Sequence, residues 1–270
     1  MLRLEYDLIK TKDEVDTLTA SYQIFSNYYN SLQNLDVLNH TWGANSVHRG
    51  KLGTLPAWYG AQYSYDYLEL DGSVFLSRHT GTASLTLFEN DSNFTLFQYR
   101  YQDKDFRSAN TLGLRQESRD GQNHLLGGTH ILLFAAGRHF VRVGYQADFD
   151  DTHGGDYRYV GHRASFGFQI TVPWNIRFQA GYDFQFRDYL NKNRLASALN
   201  QQSEGGSFVE GAPFGVMRRD RDHTFTASLS RDFPYGFNAS LEFFKERNSS
   251  TFSLFDFDRN VVTLSVGWKF

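Results

Sequence analysis

The most regular feature of the chain is an alternation of apolar and polar residues. In NIRFQAGYDFQFRDY (175–189), apolar residues occupy every even position from Ile176 to Phe186, and glycine or polar residues stand between them. The final segment, NVVTLSVGWKF (260–270), repeats the pattern. Successive side chains of a β-strand point to opposite faces, so each segment predicts a strand with one apolar and one polar face.

The same pattern predicts thirteen strands. Most are longer than the roughly 5 or 6 residues of an average globular strand, and they fit the roughly 9 to 11 residues that a tilted strand needs to cross a membrane. The predicted strands are 2–10, 15–26, 36–48, 56–69, 78–88, 92–103, 122–134, 138–150, 157–172, 175–188, 221–233, 236–247 and 259–270.

The connections between these strands differ in length. ENDS (89–92), AAGR (135–138), VPWN (172–175) and FPYG (233–236) predict tight turns, because they carry the Pro, Gly, Asn and Asp that such turns favour. The longer polar connections are 104–121, 149–156, 248–258 and a long loop at about 189–220. Short turns at one end and long loops at the other are typical of outer-membrane barrels. We therefore predict an all-β fold, a transmembrane antiparallel up-and-down β-barrel over residues 1–270.

The strand count sets a parity problem. Bacterial barrels of this kind have an even number of strands, and thirteen are visible. Either a fourteenth strand precedes residue 1 in the intact protein, or residues 1–14 lie outside a barrel of twelve. We favour fourteen, because Leu2, Leu4, Tyr6 and Leu8 alternate with polar residues as regularly as any later strand. We also expect a signal peptide upstream.

Composition narrows the class further. The 270 residues have a net charge of -3 and a mean hydropathy of -0.50, yet 17% are aromatic. No run approaches the roughly 18 apolar residues of a membrane helix. A chain that is polar on average but rich in aromatics at alternate positions suits a barrel with lipid outside and water inside.

Several segments carry a family resemblance. They are LTASYQIFSNYYNSLQNLDVLNHTWGANSVHR, LELDGSVFLSRHTGTASLTL, YRYQDKDF, AAGRHFVRVGYQ and FDFDRNVVTLSVGWKF. Together they resemble the C-terminal barrel of outer-membrane proteins that carry tetratricopeptide repeats, related in architecture to the surface lipoprotein assembly modulators. The resemblance implies a Gram-negative outer membrane, a periplasmic repeat region upstream that selects a cargo, and export through the barrel. The sequence itself contains no helical repeat.

The inward polar face is where a conduit would act. Rings of charge in a pore select solutes by sign and size, whereas opposite charges that pair across strands fill the lumen without selecting. Both interpretations remain open, as an export conduit and as a structural or surface-interaction barrel with a plugged lumen. The predicted pore-lining residues are Gln98, Arg100, Gln102, Arg142, Gln146, Asp148, Arg163, Gln169, Arg177, Asp183, Arg187 and Glu242.

Aromatic residues predict the membrane interfaces, because Tyr and Trp favour the level of the lipid headgroups. We assign Tyr63, Tyr65, Trp174, Trp268 and Phe270 to them. A terminal aromatic residue resembles the signal that barrel-assembly machinery recognises, so we expect that machinery as a partner. We expect no nucleic acid partner.

Two further sets of residues are candidates for lipid binding or for catalysis. The basic cluster Arg218, Arg219 and Arg221 would meet phosphates of the expected lipid partner, lipopolysaccharide, or form a solvated rim. A hydrolase at the outer rim would draw on Asp150, Asp151, His153 and Asp156, or on Asp222 and His223, but no nucleophile motif flanks them. The histidines have no metal-ligand spacing. We predict no enzyme, no metal and no cofactor.

Overall fold

A computed structural model of the chain describes residues 2–10, 16–28, 36–107, 118–192 and 217–268. Within these residues the chain forms thirteen β-strands, and three-residue 3-10 turns follow some of them. The strands are β1 (Leu2–Lys10), β2 (Thr17–Asn27), β3 (Val37–Leu52), β4 (Leu55–Leu70), β5 (Ser73–Asn90), β6 (Asn93–Phe106), β7 (Gly121–Phe134), β8 (His139–Thr152), β9 (Tyr159–Val172), β10 (Ile176–Lys192), β11 (Met217–Asp232), β12 (Phe237–Ser250) and β13 (Phe257–Trp268).

The strands form one sheet in which each strand is hydrogen-bonded to its neighbours in sequence, from β1 to β13. The predicted fold class, all-β with antiparallel up-and-down topology and thirteen visible strands, is confirmed. Leu2–Lys10 pairs with β2 as the first strand of the sheet, and the choice between barrels of fourteen and twelve strands stays a prediction. Within the described residues the sheet is open, with β1 and β13 as its edges. The expected fourteenth strand stays a prediction.

The connections on either side of β4 differ from the sequence prediction. Asp71 and Gly72 join β4 directly to β5, with φ of 52° and 69°. Two positive φ values in a two-residue loop favour Asp-Gly and match the twist of the flanking strands. The predicted strand 78–88 therefore begins at Ser73, and a tight turn stands at an end where long loops were expected. Similarly, β3 continues past the predicted end at 48 to Leu52.

The long loop predicted at 189–220 is shorter at both ends. Strand β10 continues to Lys192 and β11 begins at Met217, so residues 193–216 of this segment lie outside the described residues. Arg218, Arg219 and Asp220 accordingly belong to a strand. Paired backbone fixes the direction of their side chains, which a loop would not.

The predicted tight turns VPWN and FPYG are confirmed. Each contains a 3-10 turn, Pro173–Asn175 and Pro234–Gly236, whose central aromatic residue has positive φ, 64° at both Trp174 and Tyr235. Non-glycine residues rarely adopt this conformation. The turns expose both rings, Trp174 at 76% and Tyr235 at 91% of their surface.

The chain divides into two compact units. Unit 1 comprises Met1–Phe88, Leu96–Leu126 and Asp148–Val160, and unit 2 comprises Glu89–Thr95, Gly127–Ala147 and Gly161–Phe270. Among the described residues, no helix is both long and apolar enough to span a membrane.

Burial in the described residues is inverted relative to a soluble domain. Buried positions include ten polar or charged residues, such as Asp220, Asn123 and Asp156, against five hydrophobic ones. Large hydrophobic side chains are exposed along most strands, for example Tyr145 at 54% and Leu264 at 74%. In soluble proteins, charged residues are almost never fully buried unless paired, and exposed apolar patches are small. The sheet therefore has an apolar face that needs a nonaqueous partner and a polar face that makes its own contacts.

Candidate functional site

The polar face of unit 1 carries an ion pair centred on Asp66 of β4. Arg78, directly opposite on β5, donates to Asp66 Oδ2 from Nε at 3.0 Å and from Nη2 at 2.9 Å. Thr41 of β3 donates to Asp66 Oδ1 at 2.7 Å. One carboxylate thus joins three neighbouring strands.

A second ion pair of unit 1 joins β6 to β8. Lys104 Nζ lies 2.8 and 2.7 Å from the two carboxylate oxygens of Asp150, and both side chains are nearly buried, at 13% and 11% exposure. Like Asp66, Asp150 is held by a cation on another strand.

Between these strands, Asn123 of β7 connects two predicted pore-lining residues. It accepts from Arg100 Nη2 at 3.2 Å and donates to Asp148 Oδ1 at 2.6 Å. Tyr159 donates to the other oxygen of Asp148 at 2.9 Å. The polar face of unit 1 is therefore a network that crosses strands.

The polar face of unit 2 also carries ion pairs. Arg163 Nη2 lies 3.0 Å from Asp183 Oδ1. Arg187 Nη2 lies 3.7 Å from Asp222 Oδ2. Arg259 donates to Glu246 across the β12–β13 pair. Opposite charges on adjacent strands are thus the rule on this face too.

The most buried charge of the described residues is Asp220, at 0% exposure. Arg218, on the same face of β11, donates to Oδ1 at 2.9 Å from Nε and to Oδ2 at 2.6 Å from Nη2. The guanidinium lies 3.4 Å from the ring centroid of Phe255 and 4.4 Å from that of Tyr189. The predicted basic cluster is therefore wrong for Arg218, which is 7% exposed and cannot meet a lipid phosphate.

Arg142 of β8 is an exception among the charges of the polar face. It has no ion pair or hydrogen bond with any described residue. Its Nε lies 2.7 Å from the position that a Cβ on Gly167 would occupy, and its Nη2 lies 3.8 Å from that on Gly181. The two glycines leave room for the guanidinium to extend over β9 and β10 into a cavity of about 320 Å³, whose lining includes Gln179 and Glu242.

The remaining predicted pore-lining residues also lie on the polar face, as strand parity requires. Gln102 donates to Thr80 at 3.2 Å, and Arg177 Nη2 lies 2.9 Å from Asp232. Gln169 accepts from Gln179, and the Gln146 side chain lies over Gly127. Gln98 is half-buried on the same face of β6 as Arg100.

The hydrolase candidates Asp222 and His223 are not brought together. Asp222 and His223 are consecutive in β11, so their side chains point to opposite faces, Asp222 toward Arg187 and His223 toward Tyr182. Asp150 is paired with Lys104 and Asp151 with Arg158.

The apolar face of the sheet, here called the outward face, carries a repeated contact that alternation along the chain does not reveal. A tyrosine hydroxyl lies 2.6 to 2.8 Å from His Nδ1 in five pairs, each joining an even-numbered strand to the next strand. The ring pairs are Tyr22–His40, Tyr63–His79 and Tyr99–His124 in unit 1, and Tyr145–His162 and Tyr182–His223 in unit 2.

The pairs share one register wherever it is defined. The residue opposite the histidine lies two positions after the tyrosine, as for Ile24 with His40, Tyr65 with His79 and Phe184 with His223. Diagonal neighbours of this kind lie within reach of aromatic side chains. Tyr and His each have an apolar ring and a polar tip, so the pairs suit a boundary between apolar and wet surroundings.

Three of the predicted interface aromatics, Tyr63, Tyr65 and Trp268, lie on the outward side. Tyr63 contacts His79, and Tyr65 lies 4.7 Å from the same ring between centroids. Trp268 donates from Nε1 to the Tyr235 carbonyl at 2.9 Å and stacks on Phe237. Trp174 is exposed in its turn, and Phe270 lies outside the described residues.

Comparisons with known proteins add no further information: no protein-family model matches the sequence, and no curated protein matches it.

Proposed function

We propose that this chain is the membrane-spanning domain of an outer-membrane β-barrel that acts as a pore or export conduit. In this proposal the sheet closes around a water-filled lumen, and a periplasmic region outside the sequence selects the cargo. The observation that carries the proposal is the inverted burial, with a hydrogen-bonded charged face and an exposed apolar face. Lipid is the environment in which such an apolar face is favourable, and barrels satisfy every backbone hydrogen bond without an edge.

Arg142 supports transport in particular. Its guanidinium extends into a cavity without an ion-pair partner in the described residues, and Glu242 lies at the same cavity. Unpaired charges on a water-filled path are what a passing solute would meet. Because both signs are present, the expected ion preference is weak.

The paired charges favour a second candidate, a structural or surface-interaction barrel with a plugged lumen. Pairs such as Lys104–Asp150 hold strands together without facing a solute, and each neutralises its own field. In this alternative the side chains of the polar face fill the lumen and block it, and the loops carry the function.

Single-cysteine labelling distinguishes the candidates. The chain has no cysteine, so Glu242→Cys and Leu241→Cys each introduce one thiol at the same depth of β12 on opposite faces. In the protein reconstituted in lipid vesicles, a charged water-soluble thiol reagent should react at position 242 and not at 241. In planar bilayers, the Glu242→Cys protein should give conductance steps that the reagent changes.

Different results of the labelling experiment would contradict the membrane assignment and the conduit. Reaction at both positions would contradict the membrane assignment, because Leu241 would then face water. A silent bilayer with an unreactive Glu242→Cys would refute the conduit and support the plugged barrel.

A further inference from the structure

The outward face of β11 and β12 changes abruptly from apolar to basic. Along β11 the outward residues Leu229 and Phe225 are exposed apolar side chains, and His223 and Arg221 follow toward the long connection. Along β12 the outward residues Leu241 and Phe243 precede Lys245 and Arg247. The change falls within one residue pair on the two strands, because the last apolar residue of β11, Phe225, pairs with the first basic residue of β12, Lys245, and His223 pairs with Arg247.

The basic residues beyond this level form a compact group, here called the basic patch: Arg221, His223, Lys245 and Arg247. Arg221 is two residues from His223 on one face, and Arg247 is directly opposite His223. On the β10 side, Arg221 faces Phe186 and His223 faces Phe184, which contribute no charge.

Two guanidinium groups of the patch are free. Within the residues that the structure describes, neither Arg221 nor Arg247 has an ion pair or a hydrogen bond from its side chain. The nearby carboxylate on β13 is Asp258, which is opposite Arg247 in the register and forms a long contact of 3.9 Å with Lys245. Among the described residues, three permanent cations and a histidine thus lie beside Asp258, and the next carboxylate on this face, Asp188, pairs with Arg219.

The neighbouring arginines of β11 do pair with carboxylates. Arg219, two residues before Arg221 on the same face, lies 2.8 Å from Asp188 of β10. Arg218 is buried on Asp220 at the opposite face. Arg221 and Arg247 therefore differ from adjacent arginines in lacking an anionic partner among the described residues.

We propose that the basic patch binds the phosphate of a membrane lipid headgroup. This inference rests on the proposed function, since it requires lipid against the apolar face. Guanidinium groups bind phosphate oxygens through paired charge-assisted hydrogen bonds, and exposed apolar residues directly beneath would contact the acyl chains. The Tyr182 hydroxyl holds His223 Nδ1 at 2.7 Å and leaves Nε2 available as a further polar contact at the same level.

The test measures binding of a diphosphorylated glycolipid to the detergent-solubilised protein by native mass spectrometry. Arg221→Gln/Arg247→Gln should weaken binding about thirtyfold, because each basic residue near an anionic lipid surface contributes about fivefold. Arg231→Gln is the matched control, since Arg231 lies on the same face of β11 but about 33 Å along the strand, and it should change binding less than twofold. Arg221→Lys/Arg247→Lys should restore much of the affinity.

A parallel flotation experiment with zwitterionic vesicles separates the possible failures. If the wild-type protein does not float with vesicles, the membrane proposal fails and this inference fails with it. If it floats but the double variant binds the glycolipid as the wild type does, only the lipid site is refuted. Equally tight binding of inorganic phosphate would also overturn it, by showing a site for soluble anions.

Discussion

Replacing Arg218 tests whether the polar face is held together by its charges. Arg218→Met removes both hydrogen bonds to Asp220, which is fully buried, and removes the cation above the Phe255 ring. Without Arg218, the buried carboxylate of Asp220 has neither a cation nor water to stabilise its charge. We expect the free energy of unfolding to fall by about 3 to 5 kcal/mol, the usual cost of breaking one half of a buried ion pair.

The chain supplies a closely matched control at the next residue. Arg219 also pairs with an aspartate, Asp188, but their side chains are 62% and 44% exposed. Exposed pairs contribute about 0 to 1 kcal/mol, so Arg219→Met should change little. Both variants remove one arginine from the same strand and differ only in the face involved.

Unfolding by guanidinium chloride in detergent micelles, followed by tryptophan fluorescence, measures the difference. A third variant, Arg218→Met/Asp220→Leu, removes both charges and should recover most of the lost stability, because uncharged replacements of a buried pair are often neutral. Equal destabilisation by Arg218→Met and Arg219→Met would refute the reasoning. So would a double variant as unstable as Arg218→Met alone.

Two further predictions concern glycine and transport. Gly121 has a φ of 147°, and a Cβ there would lie 2.3 Å from the Asp151 carbonyl oxygen. Gly121→Ala should therefore lower the free energy of unfolding by about 3 kcal/mol through strain and overlap. At Gly72, where φ is 69°, a Cβ would meet open space, so Gly72→Ala should lower it by only about 1 kcal/mol in the same denaturation assay. Arg142→Gln should shift the reversal potential of the reconstituted pore toward cation preference by up to roughly fourfold in permeability ratio, since a unit charge about 5 Å from an ion in water is worth about 0.8 kcal/mol. Arg231→Gln, on the outward face, should leave the reversal potential unchanged, and an equal shift in both variants would contradict the role of Arg142.

The sequence predicted which face each side chain takes, because that depends only on alternation within one strand. Arg163 and Asp183 could be placed on the polar face from their own strands. Their contact could not be predicted, since it depends on the register between β9 and β10, which alternation leaves open to shifts by two residues. The same limit hid the link from Arg100 through Asn123 to Asp148.

The missed tight turn had a local signal. Asp71-Gly72 lies between two apolar segments, which is a strong short-range sign of a hairpin. The expectation of long connections at that end of the strands opposes this signal. Assigning residues 189–220 to a loop likewise removes the alternation that places the Arg218 side chain on the polar face.

The Tyr–His pairs were hidden by the variable connections. The two members of a pair are 16 residues apart at Tyr63–His79 and 41 apart at Tyr182–His223, so no fixed spacing appears along the chain. Only the strand register makes the contacts equivalent. A search for tyrosine at the outward positions of one strand and histidine at those of the next would have found them.

Paired and unpaired charged side chains differ in their proposed roles on the polar face and on the outward face of the sheet. On the polar face, ion pairs such as Arg163–Asp183 satisfy charges that would otherwise destabilise a buried surface, and in the proposed conduit Arg142 would meet the solute. On the outward face, apolar side chains need no partner in lipid, so a free cation such as Arg221 is costly unless it lies at the headgroups. Under the proposed membrane assignment, arginines that have no partner among the described residues and lie at the edge of the apolar surface would mark the membrane boundary, independently of the aromatic residues that gave the first indication of it.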